Sequence, residues 1–337
     1  MRAQGRLAMS EFETAQVRAS AKRHTEMKIE QEPILPAYVL ITPSRNEESF
    51  IEKTIESVIH QTVLPAKWVI VNDGSTDSTG AIAERYAAKH EWIEVVNRPI
   101  RQERNFAAKV HAFNAGLERL KYIEYEIIGN LDSDVLLDRD HFEFLLNKFK
   151  HNPRLGVAGT VFSEEGGYSS ANDSFEGQNH VSGQCQMFRR QCFEEIGGYF
   201  ANKAGGIDWI AVTTARMMGW KTQSYREKSF FHCRHLGTAE RSVFAAAFSY
   251  GEKDYYLGGH PVWELFRVTY RMTKPPYFVE GLALGLGYGW AMLRREKRPI
   301  SNQLVAFHRK EQMRKLGGIL KSILTFKSVD NFKALPD

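Results

Sequence analysis

Residues 68–78 read Trp68-Val69-Ile70-Val71-Asn72-Asp73-Gly74-Ser75-Thr76-Asp77-Ser78. The run 68–72 is short, apolar and β-branched, the mark of a strand buried on both faces. Asp73-Gly74-Ser75 is turn chemistry. Asp77 and Ser78 are capping residues and predict a helix continuing to about residue 89. The same unit recurs on either side. Upstream, 38–42 reads as a strand, and 48–60 as a helix with Ile51, Ile55, Val58 and Ile59 on one face. Downstream, 93–96 and 125–131 read as strands around a helix at 107–121. This alternation predicts an α/β domain with a Rossmann-like, mostly parallel sheet flanked by helices. Such sheets bind ligands beyond the C-terminal ends of their strands.

Composition sets the frame. The chain has 337 residues, 43% hydrophobic and 25% charged, which is ordinary for a globular protein. Residues 1–35 form a polar arm closed by Pro33 and Pro36. Residues 36–240 hold the α/β domain, regular in its first half, 36–140, and less regular in its second, 141–240. Helices are expected there at 190–196 and 208–218, after a Gly-, Ser- and Asn-rich loop at 164–182. Residues 241–337 form a basic, aromatic, helical extension. The formal net charge is +5, and it is concentrated in residues 261–337. That bias suits an anionic partner, with a solvated face as the plain alternative. Cys185, Cys192 and Cys233 fit neither a zinc site nor a disulfide framework and read as reduced thiols. The N-terminus lacks the apolar core of a secretory signal, and no segment reaches the ~18 apolar residues of a membrane span. The expectation is a cytoplasmic protein.

Three strand ends carry candidate chemistry. Asp132-Ser133-Asp134 follows an apolar strand, where two carboxylates can share work on Mg²⁺ or Mn²⁺; a plain strand-to-turn cap has the same residues. Asp73 can accept a hydrogen bond from a base or ribose, and the helix N-terminus beyond it offers N–H groups. Thr42-Pro43-Ser44-Arg45-Asn46-Glu47-Glu48 is a polar cluster suited to nucleotide contacts. Each of these also reads as an ordinary capped turn.

Taken in order, the three resemble the family-2 glycosyltransferases of the glycosyltransferase A fold. The helix before the Asp-x-Asp strand adds Ala112-Phe113-Asn114-Ala115-Gly116, matching the family's A-x-N-x-G. The resemblance covers roughly 37–237 and implies roles. Asp73 would bind the nucleobase, helped by Pro43 and Glu47. Asp132 would lie near the ribose, and Asp134 would hold the cation against the donor diphosphate. Gly205-Gly206-Ile207-Asp208-Trp209 matches a Gly-rich stretch ending in an acidic pair, whose Asp is the general base. Ile207 departs from that pair and Asp208 keeps the base; a helix N-cap is the structural alternative. In Phe231-His232-Cys233-Arg234-His235, His232 would complete the metal site, with His235 its competitor, and Arg234 would meet the diphosphate.

The block 255–316 is similar to the C-terminal region of bacterial exopolysaccharide glycosyltransferases, which act on lipid-linked acceptors. Two readings stand for it: a monotopic helix on an anionic membrane's inner face, or a helical subdomain packed on the core. The resemblance therefore implies an inverting, Mn²⁺- or Mg²⁺-dependent hexosyltransferase. It would take a nucleotide-sugar donor and a lipid-linked or cell-surface saccharide acceptor, with no nucleic acid. A haloacid-dehalogenase-like phosphatase built on Asp132-Ser133-Asp134 is the alternative. It is disfavoured because that motif normally opens its fold, and no downstream acidic pair for its magnesium is evident. A nucleotide-sensing protein with a degenerate site would not need Asp134, Asp208 and His232. A Rossmann dehydrogenase lacks its G-x-G-x-x-G.

Overall fold

The computed structural model describes residues 35–100, 106–173, 177–202, 205–234 and 242–325. The polar arm, Leu35 apart, and His235 lie outside the described residues. The chain from Pro36 onward forms one compact unit. Its first half is the expected alternation: β1 (Tyr38–Ser44), α1 (Ile51–Ile59), β2 (Lys67–Asn72), α2 (Thr79–Ala87), β3 (Ile93–Asn97), α3 (Phe106–Glu118) and β4 (Ile127–Leu131). Both sheet faces are covered, so alternate residues of β1 and β2 serve two layers. Val39, Ile41, Val69 and Val71 join Ala112 and Phe113 of α3 in one core. Tyr38 turns the other way, onto Phe142, with ring centroids 5.1 Å apart. Burying each such Val, Ile or Phe side chain contributes about 1.5–3 kcal/mol.

Two boundaries beside the first strand end differ from the sequence reading. The helix expected from residue 48 begins at Ile51, because Asn46 is left-handed at φ 55 and residues 48–50 form a turn. β1 extends through Ser44, which places Pro43 inside the strand. It lies beyond the last β1–β4 pair, Ile41 with Asn130, where a residue lacking N–H is tolerated.

The sheet order is β3-β2-β1-β4-β7-β6-β8-β5, with β5 (Val135–Leu136), β6 (Leu155–Glu164), β7 (Cys185–Arg189) and β8 (Lys221–His232). β3, β2, β1 and β4 run parallel. β7 is antiparallel to β4 and to β6, β8 is parallel to β6, and β5 is antiparallel to β8. The sheet as a whole is therefore mixed. Following the directions across it puts the ends of β1, β2, β4, β6 and β8, and the start of β5 and β7, on one edge. Asp73, Asp132, Asp134, Glu164, Cys185 and His232 gather there. Asp73 and Asp134 share the edge, as the α/β reading requires.

Three longer helices pack on the second half of the sheet. α4 (His141–His151) packs on β6, α5 (Arg190–Glu195) on β6 and β7, and α6 (Ile207–Met217) on β6 and β8. The C-terminal region is helical: α7 (Val243–Tyr256), α8 (Pro261–Met272), α9 (Val279–Leu293) and α10 (Asn302–Leu324). It is tied to the domain through α6. Trp209 and Ile210 cluster with Leu257 and Leu304, and Trp209 meets the His308 ring edge-on at 4.5 Å. All three cysteines are free.

Candidate active site

The loops after β1 and β2 hold each other. Asn46 N–H donates to Ser75 Oγ at 3.1 Å, and Asn46 Oδ1 accepts from Thr76 N–H at 2.9 Å. Glu48 N–H donates to Asp77 Oδ2 at 3.1 Å, while Glu48 Oε2 accepts from Ser78 N–H at 3.0 Å. Ser78 sits at the N-cap of α2 without a side-chain cap bond; Asp77 accepts from Thr79 N–H instead, at 3.0 Å. Asn46 and Glu48 thus shape the loop pair. Gly74 takes φ +70 at the turn, the conformation only glycine adopts freely. Behind it, the Asp73 carboxylate is 4% exposed and is held by Arg98 at 2.6 Å.

The Asp132-Ser133-Asp134 turn is fastened from α1. Thr54 Oγ1 donates to Ser133 O at 2.9 Å and accepts from Val135 N–H at 3.2 Å. Asp132 is paired with Lys109 of α3 at 2.5 Å and accepts from Asn130 at 3.1 Å. Burial raises the Asp132 pKa; Lys109 opposes this, the neighbouring Asp134 charge adds to it, and the net shift is upward. Asp134 goes the other way. Burial works against its charge, but His232, Arg234 and Lys109 outweigh burial and hold its carboxyl below the ordinary value.

His232 faces Val135 across the β5–β8 pair, which brings its Nε2 to 3.5 Å from Asp134 Oδ2. Its other nitrogen, Nδ1, lies 3.0 Å from Glu164 Oε1, since Glu164 and His232 are partners in the β6–β8 ladder. Burial alone would lower the His232 pKa, yet the two carboxylates raise it. Arg234 sits 3.6 Å from Asp134 Oδ2 and 2.5 Å from Glu47 Oε2, with its guanidinium over the Phe50 ring. Glu47 therefore faces the Asp134 side of the site.

Asp208 lies in the first turn of α6. The N-cap is Gly206, at φ 74, so capping falls to that residue and not to Asp208. Asp208 stands 3.7 Å from His180 Nε2. A β-carbon on Gly183 would lie 2.9 Å from Asp208 Cβ, so that loop approaches the acid as only glycine permits. The same loop anchors the Asp-x-Asp side: Asn130 donates to Gly183 O at 2.6 Å and Asp132 N–H to Gln184 O at 2.8 Å. Burial opposes the Asp208 charge, but His180, Lys253, the Trp209 N–H and Lys109 together hold its carboxyl below the ordinary value. One ammonium, Lys109, thus acts on Asp132, Asp134 and Asp208 alike. Among the described residues, no group of three or more His, Cys, Asp or Glu forms a ready metal cage.

Residues 39–174 match the model of Glycosyl transferase family 2. This chain carries a family-2 glycosyltransferase domain. The Asp132-Ser133-Asp134 triplet lies inside that domain and follows its fourth strand, so it does not open a phosphatase fold. The chain is similar to poly-beta-1,6-N-acetyl-D-glucosamine synthase of Staphylococcus aureus, 26% identical over 144 residues, covering 43% of this chain and 32% of that protein. The Staphylococcus epidermidis synthase is 31% identical over 115 residues, 33% of this chain and 25% of the relative. The chain thus spans under a third of these relatives' length. Two solved structures show the same glycosyltransferase A type of fold. One is a mannosyltransferase from Pyrobaculum calidifontis in complex with GDP-Man and Mn²⁺, with TM-score 0.50, 19% identity, and coverage of 96% of this chain and 87% of that one. The other is S. aureus TarS 1–349 in complex with UDP-GlcNAc, with TM-score 0.51, 15% identity, and coverage of 85% and 81%.

The structure brings to this edge several residues that the sequence reading passed over. Arg98 and Glu164 stand at or just past the ends of β3 and β6, so the strand-end rule could have found both. Lys109, His180 and Lys253 carry no such signal: a helix face, a loop and the C-terminal region bring them in.

Proposed function

We propose that the chain transfers a hexosyl group from a nucleoside diphosphate donor to a hydroxyl of a lipid-linked or cell-surface saccharide, with inversion. The observation that carries this reading is the shared strand edge: Asp73, Asp132 and Asp134 stand there with His232 beside Asp134, and the Gly183–Gln184 loop that holds the Asp132 side also packs on Asp208. Asp73, kept in place by Arg98, would take the base, with Pro43 lining its approach, and Asp132 would lie by the ribose. Glu47, expected beside the base, is paired with Arg234 and would act on the diphosphate side instead. Asp134 and His232 would hold Mn²⁺ or Mg²⁺. Two protein donors fit such a cation, which commonly takes its other ligands from phosphate and water, and Glu164 fixes the His232 ring as an outer-shell carboxylate does. When bound, the ion would stabilise charge on the departing diphosphate. Arg234, beside Asp134, would meet the same diphosphate.

Asp208 would accept the acceptor hydroxyl's proton. The oxygen then bonds to the anomeric carbon as the bond to the β-phosphate oxygen breaks, and the diphosphate leaves with the electron pair. A carboxyl held below its ordinary value is ionised and ready at neutral pH. The mannosyltransferase solved with GDP-Man and Mn²⁺ and TarS with UDP-GlcNAc make those two donors the first to try. With Mn²⁺ and a lipid-linked acceptor, nucleoside diphosphate release is expected. Asp208→Asn should keep donor binding and lose roughly 10²–10⁴-fold in transfer. Near-wild-type transfer by Asp208→Asn would remove it as the base, and a product retaining the donor's anomeric configuration would overturn inversion.

A further inference from the structure

Helix α9 is apolar on two sides. Its inner side carries Gly281, Ala283, Gly287 and Ala291 with Leu284 and Tyr288 between them. A β-carbon on Gly287 would overlap the Phe248 carbonyl of α7, and one on Gly281 would lie 2.5 Å from the Val268 carbonyl of α8. On the facing helix, a β-carbon on Gly251 would overlap the Leu284 carbonyl. Backbones this close leave no room for large side chains at the crossing points. Leu284 and Tyr288 are buried beside them, and four other large side chains point away: Leu282 is 51% exposed, Leu286 49%, Trp290 49% and Leu293 77%. At 100° per residue, these four and the exposed Val279 fall within an arc of about 80° on one face. Tyr277 and Phe278, also exposed, continue it at the N-terminal end. A water-facing helix confines its apolar residues to the inward side; here a second apolar arc faces outward.

Cations stand at both ends of this face. Lys274 precedes it, and Arg294, Arg295 and Lys297 follow, all exposed. The one acid on α9, Glu280, is paired with Arg271 at 3.6 Å. The Arg294 guanidinium lies 5.4 Å over the Trp290 ring, joining the basic end to the apolar arc. No helix among the described residues is long and apolar enough to cross a membrane.

We propose that this face of α9 docks on an anionic phospholipid bilayer, with Leu282, Leu286, Trp290 and Leu293 entering the headgroup boundary and the flanking cations meeting lipid phosphates. A second copy of the chain is the weaker occupant. Pairing α9 with α9 in either direction sets cation against cation.

The test uses the full chain with vesicles of phosphatidylcholine alone and vesicles enriched in phosphatidylglycerol. Co-sedimentation is expected with the anionic vesicles only, weakening as salt rises. The double variant Leu286→Glu, Trp290→Glu should bind about tenfold or more weakly, and Arg294→Gln, Arg295→Gln should lose the salt dependence. Brominated lipid should quench tryptophan emission of the native chain, and Trp290→Phe should lose most of that quench, which tests the face without the charged variants. Equal sedimentation of the double variant, or absence of quenching, overturns the proposal. So does a concentration-dependent dimer, abolished by the same variant, in a protein that ignores vesicles.

Discussion

His180 stands 3.7 Å from the Asp208 carboxylate, and after burial its charge is the largest influence on that group. Burial raises the Asp208 pKa and His180 lowers it, so His180→Ala should move the pKa up. A base must be ionised to act, so activity is lost as pH falls through its pKa. The acid limb of the transfer rate should therefore move to higher pH in His180→Ala, with donor binding unchanged; an unmoved limb would separate His180 from the base. Asp134 is tested differently. Asp134→Ala leaves His232 with Glu164 alone, and the metal response of nucleoside diphosphate binding should vanish in a titration with and without Mn²⁺. Unchanged affinity and unchanged metal response would refute the assignment.

Helices α7 and α8 share a buried ionic knot. Asp254 and Glu264 both pair with Arg267, and Glu264 is 3% exposed. Burial and the nearby Asp254 charge push Glu264 up to about 8, against the pull of Arg267. In the unfolded chain it ionises near 4.5. The folded state therefore holds a proton that the unfolded state releases between those values, and this contribution is full below 4.5 and lost as pH rises to about 8. The loss is on the order of a few kcal/mol. Glu264→Gln keeps the shape without the charge, so its melting temperature should fall less over that window than the wild type's. Equal slopes would mean that Glu264 is already ionised in the fold. Elements of this kind were hidden from the sequence. The βαβ half was legible because strands buried on both faces read as continuous apolar runs, and their ends carry the polar residues. Asp73 and Asp134 were picked out as candidates by that rule, and His232 by the family resemblance. The helical half was less so, since the glycines of α9 read as weak helix and mean close packing only once α7 is beside them.

Arg216 ties helix α10 to the strand edge that carries the candidate site. Its guanidinium forms a two-pronged pair with Glu311 of α10, at 2.8 and 3.0 Å, donates to Asn179 O at 2.9 Å, and reaches Thr213 on its own helix α6. α6 carries Asp208 at its start, and Asn179 precedes His180. One side chain thus links α10 to both members of the Asp208–His180 pair. Removing Glu311 leaves a largely buried guanidinium short of its anion, which costs about 1–3 kcal/mol. For a chain of this size that is about 2–5 °C in melting temperature. Glu311→Ala should therefore melt earlier and also turn over more slowly, because a slack Arg216 frees His180 and the start of α6. Asp73 and Asp134 sit on other elements, so donor affinity should hold while kcat falls. Glu311→Gln, which can still accept from the guanidinium, should recover part of both. A lower melting temperature with unchanged kcat would confine α10 to a stabilising role and leave the Asp208–His180 geometry to the α/β domain alone.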